Sequence, residues 1–236
     1  MNKRRTIWLF IIALLGVGLM ITSTPVKPHD RPVNPSASQT VTDVDGNVYH
    51  TVRIGRQVWM VENLRTTRLN DFTAIPLVTY NQEWTKLTTP GYCWYNNKPG
   101  TYKNEYGALY NYYAVSTGKL APQGWHVPTE KDWEILIDSL GGESVAGGKL
   151  KERGTLHWQI PNTVVNDSSG FSGLPGGCRF PSGKSFLLER QGYWWTAWVN
   201  ENNNFAVARS MVSYNTSIHK FYESKSYGLS VRCIKD

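Results

Sequence analysis

The chain has 236 residues, 40% of them apolar, which is enough for one good core. Its formal charge is +7, but Lys3, Arg4 and Arg5 sit in an acid-free N-terminal stretch, and without them 22 basic residues face 18 acidic ones. That excess is scattered, without the Lys/Arg runs a nucleic-acid groove needs, so no nucleic-acid partner is expected. Ten Trp, 13 Tyr and 21 Gly point instead to a compact, loop-rich domain with an aromatic core.

Residues 1–24 read as an export signal. Lys3 to Arg5 form a positive n-region, and Ile7 to Ile21 is an uncharged apolar run of 15 residues, short for a membrane span. An uncleaved N-terminal anchor is the alternative, because Thr22, Ser23 and Thr24 do not make an A-x-A site. Either way the protein is expected outside the cytoplasm: secreted, on the cell surface or in the periplasm. Residues 25–40, with Pro25, Pro28, Pro32 and Pro35, read as an extended spacer.

The folded domain is expected over 41–236. From Val41 the pattern alternates like a meander, with turns at Asp45-Gly46-Asn47 and Gly55-Arg56. Asp43 and Asp45 reach their glycine too early for an EF-hand loop and read as turn residues. Residues 71–104 read as long loops around one short strand, with the aromatic knot Tyr92 to Tyr95 followed by Asn96 and Asn97. Tyr106, Leu109, Tyr110 and Tyr113 recur at helical spacing and predict a first amphipathic helix, closed by Gly118.

The best-specified stretch is Gly124 to Gly142. Trp125 to Val127 suit a strand, Thr129 stands as an N-cap, and Asp132 can reach back in a capping box. Trp133, Leu136, Ile137 and Leu140 share one stripe, and Gly141 can end the helix in a left-handed turn. Beyond it come a short helical turn, a loop-rich stretch over 162–180, and three β-like runs at Gly192–Trp198, Phe205–Val212 and Tyr227–Ile234. Antiparallel strands around two segregated amphipathic helices and long loops argue an α+β fold.

Several stretches together resemble the Fibrobacter succinogenes major paralogous domain, a family of exported bacterial proteins: DVDGNVYHTVRIGRQVWMVENLRTT, YCWYNN, YGALYNYYAV, GWHVPTEKDWEIL, GGKLKE, SGFSGLPGG and GLSVRCIKD, collinear from about Val41 to Asp236. The resemblance implies a C-type-lectin-like fold, the architecture also shared by formylglycine-generating enzymes, and it implies no particular chemistry. The chain departs from the family pattern at Ala121, where a cysteine often stands in a CPxGW context. That cysteine would be the natural partner of Cys233 by analogy with the disulfide between first helix and last strand in lectin-like folds.

Cys93, Cys178 and Cys233 are the disulfide candidates of this exported chain, with three pairings open and one thiol over in each. The five histidines are dispersed and make no metal pair, and His126, between Trp125 and Val127, reads as structural. Ser172 lies in no nucleophile elbow, and Gly176 to Ser185 only mimics a phosphate loop. No catalytic residue and no resident metal emerge.

What remains is binding. Trp194, Trp195 and Trp198 lead into Asn200, Glu201, Asn202 and Asn203, an aromatic strand emptying into amides and a carboxylate, a combination suited to sugar rings and their hydroxyls. The same oxygens could hold a calcium ion, although the lectin sugar motifs E-P-N, Q-P-D and W-N-D are missing. The expected function is a non-enzymatic exported binding module for glycan, with a surface-protein partner or structural role as the alternative and an enzyme on the related scaffold third.

Overall fold

The computed structural model describes residues 39–162, 165–199 and 205–236. The chain divides into two units, Met1–Ala37 and Ser38–Asp236, and the export signal of 1–24 and the spacer up to residue 38 lie outside the described residues. Pairing begins at Gln39, whose carbonyl accepts the Thr51 N–H, and β1 (Thr40–Thr42) follows directly. The domain thus starts slightly earlier than the meander pattern suggests.

Two five-stranded sheets form the frame. The first runs β1–β2–β3–β12–β6, with β2 at Val48–Ile54, β3 at Gln57–Met60, β6 at Trp125–His126 and β12 at Ile234–Lys235, all antiparallel. The second runs β11–β10–β9–β7–β8, with β7 at Gly176–Arg179, β8 at Ser185–Leu188, β9 at Gln191–Val199, β10 at Phe205–Val212 and β11 at Ile218–Ser224. Only the β7–β9 contact is parallel there. A small ribbon joins β4 (Tyr92–Cys93) to β5 (Leu109–Tyr110), and five short helices complete the α+β fold: α1 Asn81–Lys86, α2 Pro99–Tyr106, α3 Tyr112–Val115, α4 Glu130–Ser139 and α5 Glu143–Leu150. No helix among the described residues is long and apolar enough to cross a membrane.

Helix α4 forms as its sequence dictates. Thr129 accepts the Asp132 N–H while the Asp132 carboxylate accepts the Thr129 N–H, so two orphan amides of the first turn are satisfied. Gly141 and Gly142 carry φ of +98° and +95°, a backbone that a Cβ would strain, and the helix stops there. Its buried stripe places Trp133 against Trp59, with ring centroids 5.1 Å apart, and against Phe171 and Trp194. The Arg232 guanidinium stacks on the same group, 4.1 Å over Phe171, and donates to Asn63 Oδ1. A second core gathers Tyr49, Tyr92, Tyr110, Trp195, Leu229 and Cys233.

Three expectations are corrected. The tyrosine stripe is not one helix: Tyr106 ends α2, Leu109 and Tyr110 pair as β5 with β4, and Tyr113 lies in α3. Gly107 makes the break, at φ +75°, where a Cβ would sit 2.8 Å from the Leu64 carbonyl. The last β run is also different, because Tyr227–Ile234 makes mostly single bridges while the unpredicted β11 pairs along β10 from Phe205 to Met211. Finally, Cys93, Cys178 and Cys233 are all free, buried thiols, and none is joined. Each fills its niche as a small apolar group.

Candidate functional site

The turn residues that tempted a metal reading are internal fasteners. Asp43 accepts from Asp45 N, Asn47 N, Asn47 Nδ2 and the Tyr49 hydroxyl, at 2.5 to 2.9 Å. Asp45 accepts from Thr67 and from Arg68 Nε at 2.7 Å. No group of three or more His, Cys, Asp or Glu that could hold a metal occurs among the described residues. His126 is clamped between Asp236, 2.6 Å from Nδ1, and Asp132, 3.2 Å from Nε2, tying the chain's last residue to the α4 cap. Ser172 donates to Asp167 at 2.5 Å, and Gly176 to Ser185 folds as the β7–β8 hairpin, not as a loop before a helix.

The aromatic strand divides by depth. Trp194 and Trp195 are fully buried and fill the two cores, donating their indole N–H groups to Asn63 Oδ1 and the Tyr110 carbonyl. Trp198 is 38% exposed, with its ring 6.5 Å from that of Tyr222 and the Lys220 ammonium 5.6 Å above it. The other proposed ligand residues, Asn200, Glu201, Asn202 and Asn203, lie outside the described residues.

A different surface has the geometry of a site. Two adjoining depressions of about 550 and 340 Å³ share Asn81. One is lined by Tyr80, Gln82 and Glu83 at the start of α1, the other by Asn96, Asn97 and Lys184. Tyr80 is 71% exposed and Phe186, on the far wall, 42%.

The walls are held from beneath by Arg179. Its fully buried guanidinium donates to the carbonyls of Val78, Thr79 and Gly183 and to Asn81 Oδ1, at 2.5 to 3.2 Å, and lies 4.4 Å over the Trp84 ring. One cation therefore fixes the α1 start to the hairpin turn. Gly183, at φ +84°, lets the turn approach so closely that a Cβ would lie 2.6 Å from Asn81 Cα. Between the aromatic knot and α2, Asn96 and Asn97 hold left-handed backbones at φ +50° and +55°. Such conformations cost energy outside glycine and cluster at ligand sites. Asn97 Nδ2 donates to the Thr79 carbonyl at 2.8 Å, and Asn96 N donates to Ser185 Oγ at 3.2 Å, so both arms of the cleft are tied together.

The cleft thus offers amides from Gln82 and Asn96, one carboxylate from Glu83 and one ammonium from Lys184, between two exposed aromatic rings. These groups can donate to and accept from a hydroxyl-rich ligand while a ring stacks on its flat face. The sequence held the same signal twice: Tyr80 runs into Asn81, Gln82 and Glu83 as Trp198 runs into Asn200 and Glu201, and Tyr95 runs into Asn96 and Asn97. What it could not show was that two of these stretches meet.

No curated protein and no solved structure matches the chain. The family model for the Fibrobacter succinogenes major domain matches residues 52–235, which run from within β2 to β12 and include α1 to α5 and the whole cleft, and the chain belongs to that family.

Proposed function

We propose that the protein is an exported, non-enzymatic module that binds glycan in the cleft between α1, the Asn96–Asn97 turn and the β7–β8 hairpin. The supporting observation is the convergence of the Gln82 and Asn96 amides, Glu83 and Lys184 between the exposed rings of Tyr80 and Phe186. The proposal includes a C-type-lectin-like reading of the fold, supported by two small twisted sheets with short helices and long connections. A non-enzymatic role is supported by Cys178 and Cys233, the pair that thiol chemistry on the related scaffold would use. Burial pushes Cys178 up to about 12 and Cys233 higher still, the reverse of an activated nucleophile. Export rests on the apolar run after Lys3, Arg4 and Arg5.

The test is a glycan array on the purified protein, run in calcium and again in chelator, with Tyr80→Ala, Asn96→Gly and Trp198→Ala beside the wild type. Asn96→Gly removes one amide at a backbone conformation glycine adopts freely. A saccharide signal lost in Tyr80→Ala and Asn96→Gly and kept in Trp198→Ala is expected. Loss only in Trp198→Ala moves the site to the end of β9, and an array blank in both buffers overturns glycan binding.

A further inference from the structure

The edge strands of the two sheets are unequal. β1 has three residues, β6 two and β8 four, whereas β11 has seven, from Ile218 to Ser224. Short edges offer little to pair with, and long flat ones are templates for a further strand. Among the described residues β11 pairs only with β10, and α5 packs beside its start, where Gly148 N donates to the Thr216 carbonyl and Ile218 shares a core with Ala146 and Leu150. Lys220, Phe221 and Tyr222 are exposed along the middle.

The usual guards of an open edge are missing from it. β11 contains no proline, and the irregularity in this part of the sheet lies between Ala206 and Ala208 on β10. Its one lysine is turned onto its own sheet face: Lys220 Nζ lies 5.6 and 5.7 Å over the Trp198 and Tyr222 rings and 3.2 Å from Glu130. It does not stand out from the edge as a charge against pairing.

We propose that β11 pairs antiparallel with β11 of a second copy of this chain, about a twofold axis through Phe221. A twofold normal to the sheet keeps each face on its own side, so directly opposed residues must share a face. That restricts the register to axes through a residue. An axis at Lys220 opposes two ammonium groups, and one at Tyr222 sets Phe221 against Glu223. The axis at Phe221 sets Phe221 on Phe221, Lys220 on the partner copy's tyrosine at 222 and His219 on its glutamate at 223, with Ile218 on its serine at 224 at the strand ends. The three outer pairs each occur twice, as an isologous interface requires. The result is one ten-stranded sheet, five strands from each copy. It carries two clefts, so a repetitive ligand could be held at both. The pairing itself does not rest on the glycan reading.

Sedimentation velocity over a concentration series tests it, on the full chain and on the Ser38–Asp236 unit, whose cores close on its own residues. The expected result is a reversible rise to twice the monomer mass. Phe221→Asp, Glu223→Lys and His219→Glu should each weaken it by at least about tenfold with the near-UV circular dichroism unchanged. An equimolar mixture of Glu223→Lys and His219→Glu should restore a dimer, because each introduced charge then faces its opposite. A wild type that stays monomeric up to its solubility limit, a dimer indifferent to the three substitutions, or a mixture that does not reassociate overturns the proposal.

Discussion

The guanidinium of Arg179, on β7, lies 4.4 Å over the indole of Trp84, on α1, and no carboxylate among the described residues pairs with it. Its partners are three backbone carbonyls and the Asn81 amide oxygen; if the fork is removed Val78, Gly183 and Asn81 Oδ1 lose this donor together, while the Thr79 carbonyl keeps Asn97 Nδ2. Each buried acceptor left without a donor costs about 1 to 3 kcal/mol. Arg179→Met should therefore destabilise the domain by roughly 3 kcal/mol or more in urea denaturation and also abolish ligand binding at the cleft. Arg179→Lys retains the charge without the planar fork and should fall between. A Met variant of wild-type stability would show that the carbonyls find other donors.

Arg179 also shows why the cleft was only half legible. Nothing in the pattern Gly-Gly-Cys-Arg-Phe marks an arginine that will be buried without an anion, and its partners Val78, Thr79 and Asn81 lie about a hundred residues earlier. By contrast α4 was legible to the residue, because cap, stripe and terminator are all local and agree with one another. The Tyr106 to Tyr113 stretch had the right period and the right burial for Tyr106, Leu109 and Tyr110, yet it is broken by Gly107, whose conformation is set by contact with Asn63 and Leu64. Strand β11 was missed because Phe221 and Tyr222 are adjacent and face opposite sides, so an edge strand exposed on both faces shows no alternation.

Lys151 is a second buried cation without an anion among the described residues. Its ammonium donates to the carbonyls of Val212, Ser213 and Asn215 and sits 5.1 Å from the Trp158 ring centroid, and burial lowers its pKa to about 8. Between pH 8 and the ordinary lysine value near 10.5 the unfolded chain holds a proton that the folded chain has released. This group therefore makes stability rise with pH across that window, and contributes no slope below it. Urea midpoints of wild type and Lys151→Met, measured from pH 7 to pH 10, should diverge in slope above pH 8. Parallel curves would mean that the three carbonyls hold the proton against desolvation.

On the acid side the α4 cap carries the dependence. Burial pushes the Asp132 carboxyl up, but hydrogen bonds from Thr129 and His126 outweigh it and hold the pKa below the ordinary value of 3.8. The stabilisation is thus present above that value and lost as pH falls through the folded one. Asp132→Asn should cost about 1 kcal/mol at pH 7, in the range of a lost cap, and flatten the acid limb of the stability curve below pH 4. Acid titration of the two proteins by circular dichroism reads this directly, and an unchanged limb would assign acid unfolding to another carboxyl held low, such as Asp45.

Ala121 and Cys233 share the core that also contains Leu120 and Val127, both buried to within a few per cent. The family resemblance implies a cysteine at 121 as the partner of Cys233, and both positions belong to this core. Ala121→Cys, folded under oxidising conditions, should form that disulfide. Thiol titration in denaturant would then count two reactive groups, as Cys93 and Cys178 stay reduced. Closing a loop of this length constrains the unfolded chain by about 4 to 5 kcal/mol in the entropic treatment, and less where the native geometry is distorted. Thermal unfolding in the presence and absence of reductant measures the difference, which should be zero in the wild type. Four titratable thiols in the oxidised variant would mean that the Cys233 and Ala121 backbones do not meet the geometry a disulfide requires.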